Sequence, residues 1–128
     1  MSVERIKKAM IILIATCACL ITVQTPAWAN NPISYKCIIT DTSFCNYYLQ
    51  GGDEVEVANY GSGSATVFFS GLEPSEIKVY EKEEANFSEH PSEKINIEKR
   101  ERIVKQIYYN DDKLYKNNGG TVVVTVRY

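Results

Sequence analysis

The side chains with chemical potential in this 128-residue chain are few and scattered. One histidine, His90, stands between Glu89 and Pro91. A Ser-His-Asp or Cys-His site needs a histidine oriented by a third group, and the polar segment 83–93 around His90 offers none. Three adjacent acidic pairs, Asp53-Glu54, Glu83-Glu84 and Asp111-Asp112, are the candidates for paired acid and base work. They fall in turns or alternate with lysines, the pattern of a solvated face. Asp53 and Asp111-Asp112 also offer oxygen to a hard cation, but without the spacing of a calcium loop. Gly61-Ser62-Gly63-Ser64 lacks the lysine and the following helix of a phosphate loop, so it reads as a turn. Asn86-Phe87-Ser88 matches the N-glycosylation sequon. No cofactor motif is present, no metal site is expected, and the expectation is a chain that is not an enzyme.

Two cysteines matter for the mature fold. Residues 1–29 read as a cleaved signal peptide: Arg5, Lys7 and Lys8 precede a long uncharged run, and Ala27-Trp28-Ala29 fits the small-x-small cleavage pattern. The cut falls between Ala29 and Asn30 and removes Cys17 and Cys19. Cys37 and Cys45 remain, and an even count in an exported chain predicts a disulfide. It closes a loop of nine residues, 37 to 45 inclusive. In the chain-entropy picture that is worth about 2–3 kcal/mol.

The expected location is secreted or periplasmic, with no stable membrane insertion after cleavage. Residues 30–128 are read as one domain. Without the leader, Lys plus Arg falls from 14 to 11 and Asp plus Glu from 16 to 15, so the net charge is 11 − 15 = −4. A mildly acidic, mixed-sign surface offers nothing to nucleic acid.

The elements that must position these residues are strands. Of the 99 residues from 30 to 128, Val, Ile, Thr, Tyr and Phe account for 35, against 6 for Ala, Leu and Met. Branched and aromatic side chains suit a pleated, half-buried surface. The clearest stretch is Leu49 to Gly71, where glycine-bounded runs alternate. Val55 and Val57 face one way against Glu54, Glu56 and Ala58. Ala65, Val67 and Phe69 face one way against Thr66, Phe68 and Ser70. This period of two predicts two strands with one buried face, here read as a hairpin. Phe68 is the apolar residue on the polar side.

Ile33–Thr40 and Phe44–Leu49 read as an earlier hairpin with the disulfide across it. Ile77 and Val79, then Ile95 and Ile97, mark two more strands. Residues 98–109 fit a strand by propensity and also a three-turn helix by the spacing of Ile103, Val104 and Ile107. Asn110-Asp111-Asp112 and Asn117 to Gly120 read as turns around Leu114 and Tyr115. Thr121–Tyr128 is the last strand, with Val122, Val124, Val126 and Tyr128 on one face. Together these give an all-β chain. The expectation is a small antiparallel β-sandwich, immunoglobulin-like or jelly-roll, of about seven to eight strands with one hairpin disulfide.

Nine tyrosines are the most suggestive feature. In the tandem pairs Tyr47-Tyr48 and Tyr108-Tyr109 neighbouring rings point to opposite faces of a strand. With Phe68, these four make the expected ligand-contact surface, because exposed tyrosine gives rigid, amphipathic contact area. The run Gly120 to Tyr128 resembles the last strand of secreted pilus subunits of the spore-coat-U type, and also the closing strand of outer-membrane barrels. The resemblance covers nine residues, and the rest of the chain lacks the length and cysteine placement of either family. No functional residue is carried over from it; a subunit that polymerises by strand addition would use the Thr121–Tyr128 strand, with Val122, Val124, Val126 and Tyr128, or the Asn30–Thr40 segment at an open edge. Three functions are therefore expected: a non-enzymatic module binding a protein or surface glycan, a pilus-like structural subunit, or an inhibitor of a secreted hydrolase.

Overall fold

The computed structural model describes residues 31–128. The leader 1–29 and the cleavage point at Ala29 and Asn30 lie outside the described residues. Among the described residues every regular element is a strand. In chain order they are β1 (Ser34–Ile39), β2 (Phe44–Leu49), β3 (Glu54–Asn59), β4 (Ala65–Gly71) and β5 (Ser75–Glu83). There follow β6 (Asn86–Phe87), β7 (Glu93–Ile97), β8 (Arg102–Ile107), β9 (Asp112–Asn117) and β10 (Val122–Arg127). Two sheets pack face to face. The six-stranded sheet runs β1-β3-β9-β5, with β6 and β7 both pairing the far edge of β5; the four-stranded sheet runs β2-β10-β4-β8.

From β2 to β5, and again from β7 to β10, each successive strand changes sheet. Apart from the short β6, those strands make the two interleaved Greek keys of a jelly roll. This settles the choice between the two sandwich topologies. All the pairings are antiparallel except β1 against β3, which is parallel. The alternation in the sequence decides the rest. One residue in two along each strand points between the sheets and builds a core from Val55, Val57, Val67, Phe69, Ile77, Tyr115, Val124 and their neighbours. Phe69 of one sheet meets Tyr115 of the other edge-on, with centroids 5.2 Å apart.

Several expectations are corrected by this topology. The Cys37–Cys45 bridge forms, with Cα atoms 6.1 Å apart. It does not cross a hairpin: β1 and β2 belong to different sheets, so it fastens the edge of one sheet to the edge of the other. Likewise β3 and β4 have the predicted inner face, but they pair with other strands in opposite sheets and form no hairpin. Of the two readings of residues 98–109, the strand favoured by propensity is the one that forms, over Arg102–Ile107. Between the expected turns near Asn110 and Gly119, Leu114 and Tyr115 lie on β9, a strand hydrogen-bonded on both sides that takes in Asp112 and Asn117 from the ends of those turns. Finally, β10 has no open edge. It pairs β2 on one side and β4 on the other, and Val122, Val124 and Val126 are fully buried. With every main-chain donor and acceptor on both edges already engaged, Val122, Val124, Val126 and Tyr128 offer no strand edge for self-association.

Two buried asparagines hold the arches between sheets. Asn59, at the end of β3, donates its side-chain amide to the carbonyls of Gly63 (2.8 Å) and Ile107 (3.0 Å) and accepts from the Gly61 N–H. Asn117, at the opposite end, donates to Leu49 (2.8 Å) and Gly120 (2.8 Å) and accepts from the Ser75 hydroxyl. Each gathers loop carbonyls that would otherwise be stranded in the interior, where an unpaired amide or carbonyl costs about 1–3 kcal/mol. Asp53 does the same by a different route. Its two oxygens accept the N–H groups of Ile33 (2.9 Å) and Gln50 (2.8 Å), so this carboxylate is a turn cap.

Candidate functional site

The two outer faces of the sandwich differ in kind. Across the six-stranded sheet, charges of opposite sign alternate between neighbouring strands. Glu56 lies 3.7 Å from both Lys36 and Lys82, Lys82 lies 3.6 Å from Asp112, and Lys116 lies 3.8 Å from Glu54. The ammonium groups of Lys82 and Lys116 also sit over the rings of Phe87 and Tyr80. This is a solvated, mutually neutralising face.

The outer face of the four-stranded sheet carries no carboxylate. The registers set its outward residues in three rows. One row is Tyr48, Val123, Ser70 and Arg102; the next is Asn46, Thr125, Phe68 and Val104; the third is Phe44, Arg127, Thr66 and Gln106. Phe44 is 67% exposed, Tyr48 65% and Val104 51%. Phe68 stands near the centre, half-buried, with the Arg102 guanidinium 4.5 Å above its ring. In the same row the Thr125 hydroxyl donates to the Asn46 side-chain oxygen at 2.9 Å. Beside Phe44, Thr125 and Arg127 lies a shallow depression of about 360 Å3. Four strands about 4.8 Å apart and six to seven residues long make a face on the order of 400 Å2, of which the aromatic and valine side chains cover a part. Aromatic residues and arginine enriched, with lysine and acids depleted, is the composition of an interface core.

The structure divides the expected contact residues. Phe68 and Tyr48 share this face. Tyr47 points inward and stacks on Tyr35 with centroids 4.6 Å apart, and its hydroxyl donates to the Lys36 carbonyl. Burial, and then the neighbouring Tyr35, push its pKa up. Tyr108 and Tyr109 are exposed but lie in the turn between β8 and β9, at one end of the sandwich and away from the sheet face. Cys37 and Cys45 are joined in the bridge described above. His90 is exposed, its carbonyl accepting from the Ser88 hydroxyl. Among the described residues no group of three or more His, Cys, Asp and Glu side chains gathers as a metal site would.

Phe44, Val104, Arg102 and Arg127 were missing from the expected surface. The alternation of Phe44, Asn46 and Tyr48 against Cys45, Tyr47 and Leu49 carries the signal for the first. The arginines join it only through the pairing of β8 and β10 with β4.

The carboxylates that do meet were not among the adjacent pairs in the sequence. Glu56 of β3 and Asp112 of β9 come together on the six-stranded sheet, and Glu56 Oε2 and Asp112 Oδ1 are buried without a hydrogen-bond partner. One shared proton would satisfy both. Burial, then the hydrogen bond and the negative charge of Glu56, raise Asp112 from 3.8 to about 6 against the opposing pull of Lys82. Between those values the folded chain holds more protons at this site than the unfolded chain. The contribution of Asp112 to stability therefore falls as pH rises from about 4 to about 6. The expected result is that Asp112→Asn raises the melting temperature at neutral pH and that this gain shrinks to nothing toward the acid end of that window. Melting curves of both proteins across the range check it; a difference independent of pH would refute the assignment.

No family model matches the chain, and no curated protein matches it. Among solved structures, the fold is similar to that of Aeromonas hydrophila PliG, a periplasmic lysozyme inhibitor of g-type lysozyme. The identity is 7% and the TM-score 0.39, over 73% of this chain and 97% of that one. It is also similar to the Yersinia pseudotuberculosis-derived mitogen, at 12% identity and a TM-score of 0.39, over 66% of this chain and 83% of that one. Both likenesses concern the all-β fold alone.

Proposed function

We propose that this chain is an exported, non-enzymatic interaction module that docks a protein partner on the outer face of its four-stranded sheet. The observation that carries the reading is the residue set of that face: Phe44, Tyr48 and Val104 exposed around half-buried Phe68, with Arg102 and Arg127 its only charged groups. The domain as a whole is acidic, with net charge 11 − 15 = −4 over residues 30–128. A carboxylate-free, arginine-bearing apolar face on an acidic molecule fits a partner whose apolar patch is bordered by Asp and Glu. A second copy of this chain fits poorly, since face-to-face contact would set arginine against arginine. Export rests on the leader and on a disulfide, which persists in oxidising compartments.

The test compares the two faces. A photo-crosslinking residue placed at Phe44 is expected to capture a protein from the exported fraction of the source cells, while one placed at Leu114 on the opposite face captures none. Phe68→Ser, which removes the central ring without touching the core, is expected to abolish the product. Equal capture from both faces, or an undiminished product with Phe68→Ser, would overturn the reading and leave the hydrolase-inhibitor and glycan-binding alternatives to be tested at the loops.

A further inference from the structure

A separate site lies at the Asn59 end of the sandwich, away from the sheet face. The loops after β1, β3 and β8 frame an open cleft of about 630 Å3, lined by Thr40, Asp41, Thr42, Tyr60, Gly61, Ser62 and Tyr109. Its floor is held in place. The two oxygens of Asp41 accept from the Ser62 N–H (2.8 Å) and the Ser62 hydroxyl (3.3 Å), and the Ser62 hydroxyl meets the Tyr128 hydroxyl at 2.8 Å. Gly61 lies so close beneath that a Cβ there would come within 2.8 Å of Asp41 Oδ1. Only glycine lets the backbone form the floor. Two exposed tyrosines line it as well, Tyr60 at 56% and Tyr109 at 62%, whose hydroxyls hydrogen-bond to no other described residue.

We infer that this cleft binds a neutral pyranose sugar. The chemistry is that of a ligand with both an apolar C–H face and a rim of hydroxyls. The tyrosine rings supply flat, rigid contact for the first. Asp41 accepts from hydroxyls with the lone pair left on each oxygen, and Thr42 both donates and accepts. The one charged group lining the cleft is an acid, and no lysine or arginine lines it, so uronic acids, sialic acids and phosphates are rejected. The existing bonds from Ser62 hold the Asp41 carboxylate before any ligand arrives, which lowers the ordering cost of binding.

Heteronuclear NMR titration of the disulfide-bonded domain tests this with maltotetraose, cellotetraose and chitotetraose, and with tetragalacturonic acid as the charged control. The expected result is saturable millimolar binding of at least one neutral probe, with shifts confined to residues 40–42, 60–62 and 108–110. The acid is expected to produce none. Tyr60→Ala and Tyr109→Ala are each expected to weaken binding roughly 3- to 10-fold, as loss of one stacking ring implies, and the phenylalanine variants to retain it. Phe68→Ser, on the sheet face, is expected to bind sugar normally, which separates this site from the protein-docking reading. No saturable shift with any neutral probe, equal binding of the acid, or binding untouched in both alanine variants would overturn the inference.

Discussion

Tyr115→Ala is expected to destabilise the domain by about 3–5 kcal/mol, the range for removing a large aromatic ring from a core. A domain of this size has on the order of 5–15 kcal/mol in total, so the loss is a large fraction of it. Tyr115 is 2% exposed and contributes the largest fully buried side chain. It comes from β9, which is central to the six-stranded sheet, and its ring meets Phe69 from the other sheet at 5.2 Å. The hydroxyl makes no hydrogen bond to the described residues, and burial holds its pKa above the ordinary tyrosine value. Tyr115→Phe is therefore expected to be close to neutral. Urea unfolding of the three proteins checks this; comparable losses for Phe and Ala would mean that the hydroxyl, not the ring, holds the core.

Removing the bridge is the second large effect. A Cys37→Ala, Cys45→Ala double variant is expected to lose about 2–3 kcal/mol, from the loop entropy returned to the unfolded chain. The position of the bridge predicts where the loosening appears. Both bridged strands are edges held along their full length by one neighbour, β1 by β3 in the parallel sense and β2 by β10 in the antiparallel sense, and the parallel ladder is the weaker per residue. Without the covalent tie, β1 still meets the other sheet through buried Ile39, the stack of Tyr35 on Tyr47 and the bond from Tyr47 to the Lys36 carbonyl. Hydrogen exchange is expected to accelerate most at the amides of residues 34–39 and to change little at 44–49. Equal acceleration in the two segments would show the bridge acting as a register pin between paired strands, which the topology excludes.

The pattern of these two predictions reflects what a local signal can carry. Alternation in Val55, Val57, Ala65, Val67 and Phe69 reports which side of a strand is buried, because side chains on a pleat point to opposite faces in turn. All five are indeed fully buried. The same signal says nothing about the partner of a strand. A glycine turn between two strands serves a hairpin and an arch equally well, and here the arch is selected by Asn59, whose amide reaches the Ile107 carbonyl in the opposite sheet. β9 escaped notice for a related reason. Asp112, Lys113, Lys116 and Asn117 make the segment polar, and only their cross-strand partners, such as Glu81 at 2.9 Å from Lys113, make that polarity acceptable in a central strand.

The candidate surfaces divide in the same way. Phe68 was legible as an apolar residue on an outward face, and the pair Tyr47-Tyr48 as holding one outward ring, which the structure assigns to Tyr48. The absence of carboxylates around them was not, because Arg102, Val104 and Arg127 reach that face from strands far apart in the chain. By itself, the sequence determined the all-β class, the inner faces of most strands and the disulfide partners. All of these follow from composition and from spacing within a few residues. Only the tertiary structure decided which strands share a sheet, that β10 is enclosed and β1 is an edge, that Glu56 meets Asp112, and that Tyr60, Asp41 and Tyr109 frame one cleft. Those facts depend on hydrogen bonds and contacts between distant segments, which no periodicity within one segment encodes.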